Sequence, residues 1–125
     1  MLFNCTYLEN ESIEIQGIKF YGSPMMTEGP RMAFRTTDDP DKVWSAIPDD
    51  IDVLITHIPP YGILDQDYGC KGLIKKVKEI KPKVHCFGHI HAWNGTKKVD
   101  DIQFINCACE WEPLYPAYYF DIDLK

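Results

Sequence analysis

Three of the chain's four histidines stand just after apolar runs: His57 in "LITHIPPYG", and His89 and His91 in "CFGHIHAW". Imidazole suits zinc, iron, manganese and similar ions, so imidazoles held rigidly together supply part of a metal site. A lone histidine is more often a packed or surface residue. His85, inside its apolar run on the face opposite Cys86, is read that way. A shared location sets the other three apart. Gly88 is expected to let the backbone turn sharply out of its strand, after which alternation points His89 and His91 to one side. Pro59-Pro60 stiffens the exit beyond His57. A mononuclear zinc site that adds Cys86 to the histidines is disfavoured, because alternation turns that thiol inside its strand.

These residues need elements that bring them together. "IDVLITH" reads as a buried strand of β-branched residues, and "VHCFGH" as a second. Between them "KGLIKKVKEIKPK" predicts a helix with Leu73, Val77 and Ile80 on one face and Lys71, Lys75 and Lys78 on the other, ended by Pro82. A strand–helix–strand crossover makes the two strands parallel. His57, His89 and His91 then fall at the same carboxyl edge, where open α/β sheets bind ligands. Upstream, "IEIQGIKFYG" predicts a hairpin turning at Gln16-Gly17. A long surface loop follows, then a short helix through "DKVWSAI" with Pro40 in its first turn. Downstream, "KKVDDIQFINCACEW" and "AYYFDIDLK" read as three strands with turns at Asp100-Asp101 and Pro113–Pro116. The order of elements predicts an α/β chain with at least one parallel strand pair.

A length of 125 residues favours a single domain spanning 1–125. With 45% hydrophobic and 26% charged residues, the composition is that of an ordinary globular chain. No apolar run reaches the ~20 residues of a membrane helix. "MLFNCTYLENES" has no basic region leading into an apolar core, so a cytoplasmic protein without a membrane partner is expected. The formal net charge of -6 argues against a nucleic-acid surface. The lysine stripe is read as a solvated helix face, with phosphate steering as the alternative. Five cysteines without CxxC spacing are read as reduced thiols, mainly small buried side chains. "CAC" at 107–109 is too tight for a structural zinc knuckle.

"THIPP" at 56–60 and "GHIH" at 88–91 resemble the last two signature blocks of the calcineurin-like metallophosphoesterases. "TYLENESIEIQGIKFYGSP", "AIPDDIDVLITHIPPYGILD" and "GCKGLIKKVKEIKPKVHCFGHIH" are similar to a small branch of that family whose members act on phosphodiesters, cyclic nucleotides included. The resemblance covers nearly the whole chain. It implies an α/β, four-layer α/β/β/α sandwich with mixed sheets, of which this chain is a part. It implies two divalent metal ions, manganese, iron or zinc, between loops at the carboxyl ends of the strands. His57 and His89 would bind one ion and His91 the other. Two such ions activate water for attack on phosphorus and offset the charge that builds on the phosphoryl oxygens. The implied partner is a small phosphoester, with nucleotides in range.

The chain also departs from the family. Its earlier blocks, an Asp-x-His, a Gly-Asp-x-x-Asp and a Gly-Asn-His-Asp/Glu, appear nowhere in these residues. They would supply the bridging carboxylate, an asparagine and the general-acid histidine, so the chain resembles the C-terminal half of such an enzyme. Met25-Met26 stand where the branch commonly has an aromatic, and "NCACEW" replaces a pair of small residues. Two expectations follow. One is a phosphoesterase whose remaining ligands lie elsewhere; the other is a non-catalytic remnant that binds metal weakly or docks a protein. Apolar strands short of helices to cover both faces lead to an expected homodimer or oligomer.

Overall fold

The computed structural model describes residues 3–110 and 116–124. One six-stranded sheet runs in the order β1-β2-β3-β4-β6-β5. Its strands are β1 (Glu11–Ile15), β2 (Ile18–Ser23), β3 (Val53–Thr56), β4 (Val84–Phe87), β5 (Gly95–Val99) and β6 (Ile102–Asn106). The four central strands are parallel, and β1 and β5 join antiparallel as the edges.

Local chemistry explains most of these elements. Ile15 pairs with Ile18 across Gln16 and Gly17, whose φ angles of 51° and 81° are both positive. That is the backbone of a two-residue hairpin matched to strand twist. The predicted turn at Asp100-Asp101 has the same character, with φ of 49° and 64°. Helix α1 (Pro40–Ser45) starts where the Asp39 carboxylate accepts the Asp41 N–H at 2.8 Å, with Pro40 preset for the first turn. Helix α2 (Lys71–Ile80) ends at Lys81, which takes the left-handed conformation before Pro82. Its inner stripe is Leu73 and Val77, both fully buried.

Both helices lie on one face of the sheet. There Tyr21, Leu54, Phe87 and Phe104 pack with Trp44, Ile47, Leu73 and Val77. On the second face Ile18, Val53, Val84 and Ile105 form a smaller cluster with Phe20, Cys86, Tyr118 and Ile122. This single mixed sheet with helices on one side is an α/β arrangement, and it corresponds to half of a four-layer sandwich. The third strand expected at "AYYFDIDLK" is not formed among residues 117–124. Tyr118 and Ile122 instead lie against the sheet's second face, where apolar contact substitutes for ladder hydrogen bonds. The turn expected at Pro113–Pro116 falls largely outside the described residues.

Candidate metal centre

Strands β3 and β4 are adjacent and parallel, with Leu54 opposite His85 and Ile55 opposite Cys86. Their carboxyl ends therefore emerge side by side, and the loops beyond them are stitched together. The Gly88 N–H donates to the His57 carbonyl at 3.1 Å, and the His57 N–H donates to the Ser23 carbonyl at 3.1 Å. The imidazoles of His57 and His89 meet edge to face, with ring centroids 4.9 Å apart and planes at 61°. Both rings are open to solvent on one side.

The sharp turn occurs at His89 rather than at Gly88. His89 has φ 71°, and the Ile90 N–H donates to the Gly88 carbonyl at 2.8 Å. A hydrogen bond from residue i+2 back to residue i around a positive φ is a γ-turn, a strained conformation for a residue with a Cβ. Gly88 itself has room for a Cβ, the nearest atoms being those of Ala108 at 3.8 Å. The strain falls on the histidine, and it is this turn that sets the ring beside His57.

Behind the exposed pair lies a buried hydrogen-bond chain. The Thr56 hydroxyl donates to the Ile58 carbonyl at 2.8 Å, and its oxygen lies 2.9 Å from His85 Nε2. With its one proton committed, that oxygen accepts, so His85 carries its hydrogen on Nε2. His85 Nδ1 then has no partner, and full burial pushes the imidazole pKa down to about 3. His85 is a neutral strut that holds the entry to the His57 loop. On the neighbouring strand, fully buried Asn106 donates to the Leu64 carbonyl at 3.0 Å and to the Ile90 carbonyl at 2.9 Å. Its own carbonyl accepts from the Ala108 N–H at 2.9 Å. One amide thus ties the loop after β3 to the loop bearing His89. Sequence reading missed both Asn106 and this role of His85. An amide closing the apolar run "IQFIN" was the available signal.

His91 opens a 3-10 turn (His91–Trp93), and its Nδ1 lies 3.3 Å from a Glu110 carboxylate oxygen. The alternation expected to carry His89 and His91 to one side does not run through the γ-turn between them. Asp65 is buried and accepts the N–H groups of Gly62 at 2.8 Å and Gly69 at 2.9 Å, so it shapes a loop. Cys86 lies on the second face, away from His85 as expected. The thiols are less buried than the sequence suggests: Cys5, Cys107 and Cys109 are exposed, and only Cys70 is buried.

Partial burial, and then the proximity of His89, pull the His57 pKa below its ordinary value. Neutral imidazole is the form that binds metal, so the lowered pKa of His57 favours its ligating form. Two rings in contact suit one first-row ion, whose bonds to nitrogen run near ~2.0–2.1 Å. Among the described residues no group of three or more His, Cys, Asp or Glu side chains converges. The donor set fits part of one metal position and does not fit a complete two-metal centre.

No family model matches the chain. It is 38% identical over 113 residues to a UPF0046 protein of Caenorhabditis elegans, covering 86% of this chain and 39% of that protein. A second UPF0046 protein of that organism is 38% identical over 140 residues, covering 99% of this chain and 49% of the relative. Metallophosphoesterase domain-containing protein 1 of Homo sapiens is 31% identical over 134 residues, covering 98% of this chain and 41% of its own length. The chain thus spans 39% to 49% of the length of these relatives. A crystal structure shares the fold at a TM-score of 0.59 and 17% identity, covering 81% of this chain and 45% of its own. Along nearly its whole length the chain is thus similar to UPF0046 proteins and to a metallophosphoesterase domain-containing protein.

Proposed function

We propose that this chain carries the histidine-bearing half of the metal centre of a phosphoester hydrolase. The observation that supports it is the His57–His89 contact at the carboxyl edge of two parallel strands. In this reading His57 and His89 take one divalent ion, manganese, iron or zinc, and His91 faces a second. Bound ions would polarise the phosphoryl group of a small phosphoester and activate water. The chain's own residues do the holding. The γ-turn fixes His89, His85 and Thr56 fix the His57 loop, and Asn106 keeps the two loops together. The anionic ligands come from polypeptide outside these 125 residues, as the greater length of the relatives suggests.

Metal titration followed by calorimetry and by histidine NMR signals tests this. The chain alone is expected to bind manganese or zinc weakly, with His57→Ala and His89→Ala each lowering affinity roughly tenfold or more. It is expected to turn over a chromogenic phosphodiester at background until a polypeptide bearing the family's earlier motifs is supplied. Metal affinity unchanged in both variants would refute the assignment. A second reading is a non-catalytic module that docks a protein. The absence of a three-donor cluster among the described residues favours it, and turnover by the completed protein would exclude it.

A further inference from the structure

The carboxyl ends of β4 and β6 bring two thiols together on the face of the sheet opposite the helices. Cys86 pairs in register with Ile105, and Cys107 follows two residues later on the same side. The Cys107 N–H donates to the Phe87 carbonyl at 2.7 Å, which draws the end of β6 against β4. The Cys107 thiol leans back toward the Ile105 carbonyl, 3.8 Å away, and so toward the direct neighbour of Ile105, Cys86. Cys86 packs in the same apolar cluster as Ile105, on that face of the sheet. Cys107 is exposed and Cys86 half-buried.

We propose that Cys86 and Cys107 form a reversible disulfide across the ends of β4 and β6, made by exchange with a small disulfide such as oxidised glutathione. The exposed Cys107 reacts first. Its thiolate attacks one sulfur of the small disulfide, forming a mixed disulfide and expelling one glutathione thiolate. Cys86 then attacks Cys107 Sγ and expels the second. The protons lost by the two protein thiols end on the two leaving thiolates, so the protein is oxidised by two electrons and the small disulfide is reduced by two. Burial pushes the Cys86 thiol up to about 12, which makes its attack the slow step. The other cysteines are placed differently. The buried Cys70 sulfur accepts from Trp44 Nε1 at 3.2 Å and from the Thr27 hydroxyl at 3.3 Å, inside the helix-side core. The bridge would fasten the two strand ends that lead into His89 and into Glu110, the partner of His91.

Exposing the folded chain to oxidised glutathione, blocking free thiols by alkylation and mapping peptides without reduction tests the proposal. The expected product is a monomer lighter by two hydrogens, in which the peptides containing Cys86 and Cys107 are joined. Cys109→Ser is expected to keep the bridge. Cys86→Ser is expected to stop at a glutathione adduct on Cys107. A bridge between Cys107 and Cys109, a lasting adduct on Cys107 in the unaltered chain, or only bridges between chains would overturn it. The mapping uses the unaltered protein, so the outcome does not depend on a variant folding.

Discussion

His85 shows what one imidazole does when it is placed in an apolar wall. Its ring centroid lies 5.0 Å from that of Phe87 and 5.8 Å from that of Phe104, and no solvent reaches it. Its pKa in the folded chain is about 3, against an ordinary 6.5. Between those values the unfolded chain takes up a proton that the folded chain refuses. Stability is therefore full above pH 6.5 and falls as the pH drops toward 3, by roughly 1.4 kcal/mol per pH unit. His57, lowered in the same direction, adds to the trend. Urea unfolding at a series of pH values should show this slope, and His85→Phe should flatten it. Asn106 offers a second test. Replacing it with Ala leaves the Leu64 and Ile90 carbonyls and the Ala108 N–H without their partner. A loss of roughly 2–4 kcal/mol is expected from the shift in the urea midpoint, together with weaker metal binding.

At the scale of elements, helix α2 is the piece that makes β3 and β4 parallel and so brings two loops to one edge. Its buried stripe holds it to the sheet, and an ion pair from buried Lys76 to exposed Asp49 lies at its flank. Its end is imperfect. Lys81 sits at φ 48° and ψ 60°, a left-handed conformation that costs a side-chain-bearing residue about 1 kcal/mol relative to glycine. Lys81→Gly is therefore expected to stabilise the chain by roughly 0.5–1 kcal/mol, after allowing for the freer unfolded chain. Thermal or urea midpoints measure it, and a destabilised variant would mean that the Lys81 side chain makes a contact of greater value.

For the whole molecule, the sheet is asymmetric. One face is sealed by α1 and α2, and the other is only partly covered. Leu8 lies so close over β2 that a Cβ on Gly22 would come within 2.5 Å of it. Tyr118 and Ile122 cover another part. Between them Ile55 remains 42% exposed and, on the β1 edge, Ile15 52%. Apolar side chains clustered on one sheet face favour association, so the isolated chain is expected to form dimers or larger species at micromolar concentration. Light scattering should show it, with Ile55→Lys shifting the population to monomer. A strictly monomeric unaltered chain would mean that Leu8, Tyr118 and Ile122 already close the face. No helix among the described residues is long and apolar enough to cross a membrane.

Periodicity and turn chemistry alone determined much of this protein. The hairpin at Gln16-Gly17, both helices, the parallel pair β3 and β4, and the placement of His57 and His89 at one edge follow from residue order, because hydrogen bonding and side-chain alternation act locally. The burial of His85 was legible for the same reason. Other features depend on residues far apart in the chain. The turn at His89 rather than Gly88 is set by hydrogen bonds from a neighbouring loop. The clamp at Asn106 joins residues that are 42 positions apart in one contact and 16 in another. The segment expected to be a last strand lies across the second face, because apolar cover was available there and no local pattern records it. His91 meets Glu110 and Cys86 meets Cys107 for the same reason: the packing of strand ends brings them together, and no spacing in the sequence announces it.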